Sequence, residues 1–191
     1  MHPTDQALID AVVKEDSHRA FAELVKRYQS PLRYSLRQLT GWNEALADDL
    51  AQETFIKAHS ALSSFQGKAK FSSWLYRIAY NLMISHFRVA RNRELTAGLT
   101  GREKQSLWHD NDHEAVVTNE SLQLHRDLAN AMNHLSDKQR MALHLSLQRE
   151  CTQQEISDIM SIPLGTVKTL ITRGKTSLRE RLADWESGDK S

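Results

Sequence analysis

A long apolar stripe at helical spacing constrains the fold more than any other feature of the sequence. Between residues 71 and 91, the apolar side chains recur every three or four positions: Phe71, Trp74, Leu75, Ile78, Ala79, Leu82, Met83 and Phe87. This spacing places them along one face of an α-helix, whereas a strand needs alternation. The chain contains only 7 Gly and 3 Pro among 191 residues, which argues against a turn-rich β architecture. The sequence therefore predicts an all-α protein.

Capping residues and helix breakers divide the first half of the chain. Pro31 lies inside the first predicted helix and predicts a kink or a break, because proline has no amide hydrogen to donate. Gly41 and Asn43 predict the end of this helix and the cap of the next one. The predicted helices cover residues 18–40, capped by Asp16 or Ser17, then 44–62 and 71–91, with a loop over 63–70 around Gly67.

The second half begins with a polar stretch that has no hydrophobic period, which predicts a linker. Ser136 and Thr152 each precede a segment with helical periodicity, as helix caps do. The predicted helices cover residues 119–135, 136–147, 153–160 and 164–185, with a turn at Ser161-Ile162-Pro163. We therefore expect one domain over residues 1–92, a linker over residues 93–118 and a second domain over residues 119–186.

The charged residues form blocks, although the formal net charge is only +1. Residues 54–93 and 159–179 contain Lys and Arg but no acidic residue, whereas residues 94–137 contain eight acidic residues against three Lys or Arg. The near-zero net charge excludes a uniformly basic protein that wraps nucleic acid. Exposed charges are screened beyond about 8–10 Å, so the local blocks govern binding. Two basic blocks predict two polyanion-binding surfaces; solvated basic faces are the alternative.

The last two predicted helices, joined by a three-residue turn, match a helix-turn-helix, whose second helix lies in the DNA major groove. On a helical wheel the second helix has one apolar stripe: Val167, Ile171, Gly174, Leu178 and Leu182. The opposite face is basic and rich in hydroxyl groups: Lys168, Thr169, Thr172, Arg173, Thr176 and Arg179. Lys and Arg suit phosphates and guanine, and Thr suits thymine methyl groups. An ordinary helical hairpin is the alternative.

Other classes of function have little support in the sequence. The single cysteine, Cys151, excludes an internal disulfide and a cysteine-based zinc cluster. No apolar run approaches the roughly 18 residues of a membrane span, and the N-terminus has no secretion signal, so we expect a cytoplasmic protein without membrane insertion. His109–His113 is the best metal candidate, but no second cluster completes it. Without a phosphate-binding glycine loop or a nucleophile triad, we expect no enzyme and no cofactor.

Three segments of the chain carry a resemblance to a bacterial family. DDLAQETFIKAHSALSSF and KFSSWLYRIAYNLMISHFR resemble the second conserved region of sigma factors of the extracytoplasmic-function type. LSDKQRMALHLSLQRECTQQEISDIMSIPLGTVKTLITRGKTSLRERL resembles their fourth conserved region. The resemblance implies a protein that binds the core of RNA polymerase, with its beta and beta-prime subunits, directs it to promoter DNA and helps to melt that DNA. It also implies control by an anti-sigma factor.

The resemblance implies three binding surfaces. An acidic patch matches the stretch that docks on the polymerase clamp helices: Asp48, Asp49, Gln52, Glu53 and Phe55. The loop at 64–70, which grips a flipped base of the minus-ten element, and the helix after it supply the second set: Phe65, Lys68, Lys70, Tyr76, Arg77, Tyr80, Asn81 and Arg88. The helix-turn-helix reads the minus-35 element with the third set: Thr166, Lys168, Thr169, Thr172, Arg173 and Thr176.

The roles of several of these residues have alternatives. Phe55 is either a docking anchor or a core residue. Tyr76 and Tyr80 are expected on the face of their helix away from the apolar stripe, with either a stacking or a structural role. Ser85 stands where the family usually has an acid, and Leu170 where it often has arginine; both departures affect the promoter preference and not the fold.

Two other functions compete with the sigma-factor interpretation. A stand-alone helix-turn-helix regulator binds duplex DNA without polymerase and needs no surface for single strands; the aromatic and basic residues within 64–93 argue against it. A helical adaptor between proteins predicts no salt-dependent DNA affinity, whereas several contacts from Lys or Arg to phosphates produce a steep salt dependence.

Overall fold

The computed structural model describes residues 3–96, 127–128, 131–132 and 134–183 of the chain. All regular elements in these residues are helices: α1 (Asp5–Glu15), α2 (His18–Leu39), α3 (Glu44–Ala61), α4 (Phe71–Thr96), α5 (Asp137–Leu147), α6 (Gln153–Met160) and α7 (Leu164–Arg181), with a 3-10 turn over Leu62–Ser64. Helices α1–α4 belong to one compact unit and α5–α7 to another. The all-α prediction is confirmed.

Several predictions fall on residues outside this description. They are the linker beyond residue 96, the His109–His113 cluster, most of the helix predicted over 119–135 and the end of the chain after residue 183. Among the described residues, no helix has the length and apolarity needed to cross a membrane. The same residues contain no group of three or more His, Cys, Asp or Glu arranged to hold a metal ion.

Helix α1 is an element that the sequence analysis did not predict. Thr4 caps it, with Oγ1 accepting a hydrogen bond from the Ala7 amide at 3.2 Å. Its buried side chains are Leu8, Ile9 and Val12. A helix of 11 residues is marginal by itself, so its stability comes from packing this apolar face.

Pro31 does not interrupt α2, which runs from His18 to Leu39, so the predicted break is wrong. The carbonyl of Pro31 accepts hydrogen bonds from Ser35 Oγ at 2.9 Å and from the Tyr76 hydroxyl at 3.2 Å. Ser35 and Tyr76 are both buried. The hydrogen bond from Tyr76 of α4 contributes about 0.5–1.5 kcal/mol, which offsets part of the roughly 3 kcal/mol that a proline costs inside a helix.

A close approach of α5 and α7 depends on Gly174. This glycine is buried, and a Cβ built on it would lie 2.8 Å from Cδ1 and 3.2 Å from Cγ of Leu143. Leu143 is itself fully buried, so it has little freedom to move aside. The backbone of α7 therefore lies directly against the side chains of α5.

We expect Gly174→Ala to lower the free energy of unfolding of the second unit by about 1 kcal/mol. Alanine gains about 1 kcal/mol in helix propensity over glycine, but overpacking a core costs about 1–3 kcal/mol. Urea unfolding followed by circular dichroism measures the effect. Gly165→Ala is the matched control, because nothing lies within 4 Å of a Cβ at that position. The close approach is contradicted if both variants gain stability.

Candidate functional site

The exposed side of α3 combines acidic residues with one large apolar residue. Asp49, Gln52 and Glu53 are exposed, and Ile56 is 66% exposed. Their spacing of three and four positions places them in one stripe. We call these four residues the α3 face. An apolar residue among polar side chains suits a protein partner, and sequence analysis did not identify Ile56.

Asp48, the neighbour of Asp49, forms ion pairs with two arginines of α2. Its Oδ1 lies 3.6 Å from Nε of Arg33 and 3.8 Å from Nη2 of Arg37, two ion-pair contacts that are too long for hydrogen bonds. Arg37 also lies 3.2 Å from a carboxylate oxygen of Glu44. The charge of Asp48 therefore faces α2, whereas the charge of Asp49 faces solvent.

The aromatic residues predicted for binding differ in exposure. Tyr76 and Tyr80 are each only 5% exposed, so their expected position on the exposed face of α4 is wrong. The Tyr76 hydroxyl lies 3.2 Å from Ser35 Oγ, because α4 contacts α2 as well as α3. Tyr76 and Tyr80 stand seven positions before Met83 and Phe87 and so lie at the edge of the apolar stripe. Neither tyrosine offers a ring face to a base. Phe55 is half-buried, which leaves both of its alternatives open.

The exposed side of α4 is basic. Arg77, Asn81 and Arg88 are all exposed, and their separations of four and seven positions place them on one face of the helix. The loop before α4 adds Lys68 and Lys70, which are exposed too. Since residues 54–93 contain no acid, this surface has a positive local field that suits phosphates.

An aromatic surface lies beside these basic residues. The ring of Phe65 lies 5.3 Å from that of Trp74 and 6.0 Å from that of Phe71, centroid to centroid. Phe71 is buried, whereas Phe65 and Trp74 are half-buried and reach the surface. The apolar spacing placed Trp74 in the stripe of α4; its position at the edge of that stripe, three positions before Arg77, was the available signal that it reaches the surface.

The helix-turn-helix has the predicted bounds over α6 and at the start of α7. Thr152 caps α6 in a capping box with Glu155, and Ile156, Ile159 and Met160 are buried. Ser161 adopts a left-handed conformation that ends α6, with φ of 53°. Ser157 Oγ then donates a hydrogen bond of 2.6 Å to the Ile162 carbonyl, which fixes the turn.

The two faces of α7 separate as the sequence predicted. Val167, Ile171 and Gly174 are buried. The residues predicted for DNA binding are all exposed: Thr166, Lys168, Thr169, Thr172, Arg173 and Thr176. Leu170, at the border between the two faces, is half-buried.

The chemistry of the exposed face of α7 follows from its internal contacts. The hydroxyl groups of Thr169 and Thr176 donate to the carbonyls of Gly165 and Thr172, at 2.9 and 3.1 Å. Their hydroxyl hydrogens are therefore used, which leaves acceptor oxygens and methyl groups for a ligand. At the start of α7 no side chain caps the first turn and no acid lies in it, so its amides suit a phosphate.

Helix α5, which packs on α7, contains the buried residue His144. This side chain is 4% exposed, and its Nε2 atom has no hydrogen-bond partner. Burial, with a smaller contribution from the charge of Arg149, lowers the pKa of His144 from 6.5 to about 4. The imidazole is therefore neutral in the folded protein at neutral pH.

Comparison with protein families and known sequences gives concordant matches. The family model described as Sigma-70 region 2 matches residues 24–93, and that described as Sigma-70, region 4 matches residues 125–178. The chain is 36% identical over 176 residues to the ECF RNA polymerase sigma factor SigW of Bacillus subtilis (strain 168), covering 90% of this chain and 94% of the relative. It is 30% identical over 183 residues to the ECF RNA polymerase sigma-E factor of Escherichia coli (strain K12), covering 94% of each.

Solved structures show the same fold. The sigma factor RpoE, in complex with the anti-sigma factor NepR from Bartonella quintana, aligns with a TM-score of 0.69 at 27% identity, over 85% of this chain and 96% of that one. CnrH, in complex with the cytosolic domain of CnrY, aligns with a TM-score of 0.65 at 24% identity, over 97% and 99% of the two chains. The second likeness concerns the fold alone.

Proposed function

Because the chain belongs to the ECF RNA polymerase sigma factors, we propose that it binds core RNA polymerase, directs it to specific promoters and assists the melting of promoter DNA. The observation that carries this proposal is the presence of three chemically distinct exposed surfaces. The α3 face is acidic and apolar, the surface of α4 and its preceding loop is basic and aromatic, and the exposed face of α7 is basic and rich in threonine.

The α3 face is the proposed docking site for the clamp helices of polymerase. Its carboxylates repel DNA, whereas the exposed Ile56 provides apolar area that a protein partner can cover. Asp48 supports this surface from within the fold through its ion pairs with Arg33 and Arg37. Asp49, Gln52 and Glu53 then make the polar contacts around the apolar centre.

The loop at 65–70 and the exposed side of α4 form the proposed minus-ten site. Melting requires partners for bases that have left the duplex, and stacking on an aromatic ring contributes about 1–3 kcal/mol per base. Phe65 and Trp74 supply this aromatic surface. The basic and amide side chains around it neutralise phosphates and contact base edges: Lys68, Lys70, Arg77, Asn81 and Arg88.

The exposed face of α7 is the proposed reader of the minus-35 element in intact duplex DNA. Lys168 and the uncapped first turn suit phosphate groups. Arg173 suits the paired acceptors of guanine, and the threonine methyl groups suit thymine. Thr166, at the start of the helix, lies on the same exposed side.

We propose that polymerase carries out the chemistry and that this chain needs no cofactor. Its site of action is then the bacterial cytoplasm, where polymerase meets promoter DNA. The solved complex of RpoE with NepR supports an anti-sigma factor as a further partner. The proposed domains remain region 2 over residues 1–92, a linker over 93–118 and region 4 over 119–186.

Transcription with purified core polymerase tests the function directly. A promoter library is transcribed with and without the chain, and the start sites are mapped by sequencing. We expect the chain to create starts that share two upstream sequence elements. A stand-alone regulator binds duplex DNA but creates no such starts, and a protein adaptor shows no steep salt dependence of DNA affinity. The absence of promoter-specific starts contradicts the proposal.

We expect Arg173→Ala to weaken the preference for the minus-35 element by about tenfold, because one good bidentate contact to guanine contributes about 1–3 kcal/mol. Binding to core polymerase should stay at the wild-type level, which fluorescence anisotropy measures. Lys175→Ala is the matched control: Lys175 is exposed too but lies two positions, about 200°, around the helix. An equal loss of preference in both variants contradicts the assigned role of Arg173.

A further inference from the structure

We propose that helix α1 is a positioning element for the loop at residues 65–70 and holds this loop in the conformation that receives an unpaired base. The inference rests on the proposed minus-ten function of that loop. Helix α1 ends at Glu15, before the residues 24–93 that the region 2 model matches. Two independent sets of contacts connect α1 to the loop.

The first connection runs through Gln6. Its Nε2 donates to Oδ1 of Asp10 at 2.8 Å, and Lys14 donates to Oδ2 of the same carboxylate at 3.0 Å. The other end of the same amide faces the loop, since a Cβ built on Gly67 would be in van der Waals contact with Gln6 Oε1, at 3.5 Å. Gly67 has φ of +67°, which glycine adopts at no steric cost. The amide therefore lies beside the left-handed residue of the loop.

The second connection begins at Asp5. Arg27 Nη1 and the Tyr28 hydroxyl both donate hydrogen bonds to its carboxylate, and Arg27 Nη2 donates to the Pro3 carbonyl at 2.9 Å. Burial and the bond to Asp5 raise the pKa of Tyr28, so the hydroxyl remains a donor at neutral pH. The start of α1 is thus fixed to α2 at two successive residues.

Tyr28 transmits this connection to the far end of the loop. Its ring meets the ring of Phe71 edge to face, with 5.3 Å between centroids. Phe71 is the first residue of α4 and packs in turn on Phe65 and Trp74. Helix α1 therefore acts on the middle of the loop through Gln6 and on its ends through Phe65 and Phe71. A loop held in place before binding loses less conformational entropy when it takes up a base.

The test compares Gln6→Ala and Tyr28→Phe with wild type in complete holoenzyme. Tyr28→Phe keeps the ring on Phe71 and removes only the hydroxyl, whereas Gln6→Ala removes the amide beside Gly67. Glu15→Ala is the matched control, since Glu15 is exposed at the other end of α1. Promoter libraries are randomised separately at the minus-ten and the minus-35 elements, and transcripts are counted.

We expect Tyr28→Phe to lose about fivefold in sequence preference at the minus-ten element, the size of one hydrogen bond. Gln6→Ala removes only a van der Waals contact with the loop, so we expect a loss of about twofold. Both test variants should keep the wild-type sequence preference at the minus-35 element. Glu15→Ala should keep the wild-type preference at both elements. Unchanged minus-ten preference in both test variants overturns the inference, and so does an equal loss at both elements, which a merely destabilised chain would produce. If wild type itself gives no promoter-specific starts, the proposed function fails instead.

Discussion

The variant Asp49→Lys is expected to bind core polymerase about 30-fold more weakly than wild type, because a like-charge contact in an interface costs several kcal/mol. Asp49 lies in the exposed stripe with Gln52, Glu53 and Ile56, so the substitution reverses one charge without disturbing the core. Binding of labelled chain to purified core, measured by fluorescence anisotropy at two salt concentrations, gives the affinity. DNA binding by α7 should be unaffected.

The neighbouring residue supplies the control. Asp48→Asn weakens ion pairs with Arg33 and Arg37 that are partly exposed, so we expect a loss of less than about 1 kcal/mol in the free energy of unfolding. Its affinity for core polymerase should stay within about twofold of wild type, since a neutral isostere preserves the shape of α3. The matched variant Asp49→Asn, which removes the exposed charge, should weaken docking more than Asp48→Asn does. An equal loss in the two variants shows that the division between the two carboxylates is wrong.

The second unit is expected to lose about 3 kcal/mol of stability as pH falls from 6.5 to 4. His144 titrates near 6.5 in the unfolded chain and at about 4 in the folded one, so the folded state binds fewer protons in this window. Its contribution is complete above pH 6.5 and declines below it, at about 1.4 kcal/mol per pH unit. Urea unfolding of the full chain, followed through the methyl resonances of Met141 and Met160, measures the second unit separately.

The variant His144→Leu isolates this contribution from that of the carboxylates. Leucine has no proton to bind, so the difference in stability between the two proteins should grow steadily below pH 6.5. His134→Leu, the same substitution at an exposed position, is the control for replacing a histidine by leucine. Identical pH dependence in wild type and His144→Leu would show that burial does not keep this imidazole neutral.

The starts of α3, α5 and α6 and the faces of α7 were predicted, because local interactions determine them. Asn43, Ser136 and Thr152 each accept a hydrogen bond from an amide three residues ahead, a contact that depends only on nearby sequence. The apolar period of α7 likewise separates its faces without reference to another helix. For these elements, residue type and spacing were sufficient.

Two errors have different origins. The proline rule describes a local cost, whereas the hydrogen bond from the Tyr76 hydroxyl of α4 to the Pro31 carbonyl is a tertiary contact that a single sequence does not indicate. Tyr76 and Tyr80 were misplaced for a local reason: they stand seven positions before Met83 and Phe87, two members of the apolar stripe, so helical spacing already puts them at its edge.

The sequence predicted the acidic segment of α3 but not which of its residues are exposed. The acidic cluster was recognised, but Asp48 and Asp49 are identical in type and adjacent, so only the position of the two arginines of α2 separates their roles. Ile56 and Trp74 were missed for a related reason. An apolar residue in a predicted helix is assigned to the core by its residue type, and only the positions of the neighbouring helices show that it is exposed.

Under the proposed role of α7 in reading the minus-35 element, promoter choice and folding depend on different residues of the same helix: Val167, Ile171 and Gly174 are buried, whereas the six residues proposed to contact DNA are exposed. Replacing only these six exposed residues with those of a relative should therefore yield a chain that folds as before and directs polymerase to a different set of promoters. This modularity makes α7 a natural starting point for building transcription circuits that do not interfere with one another.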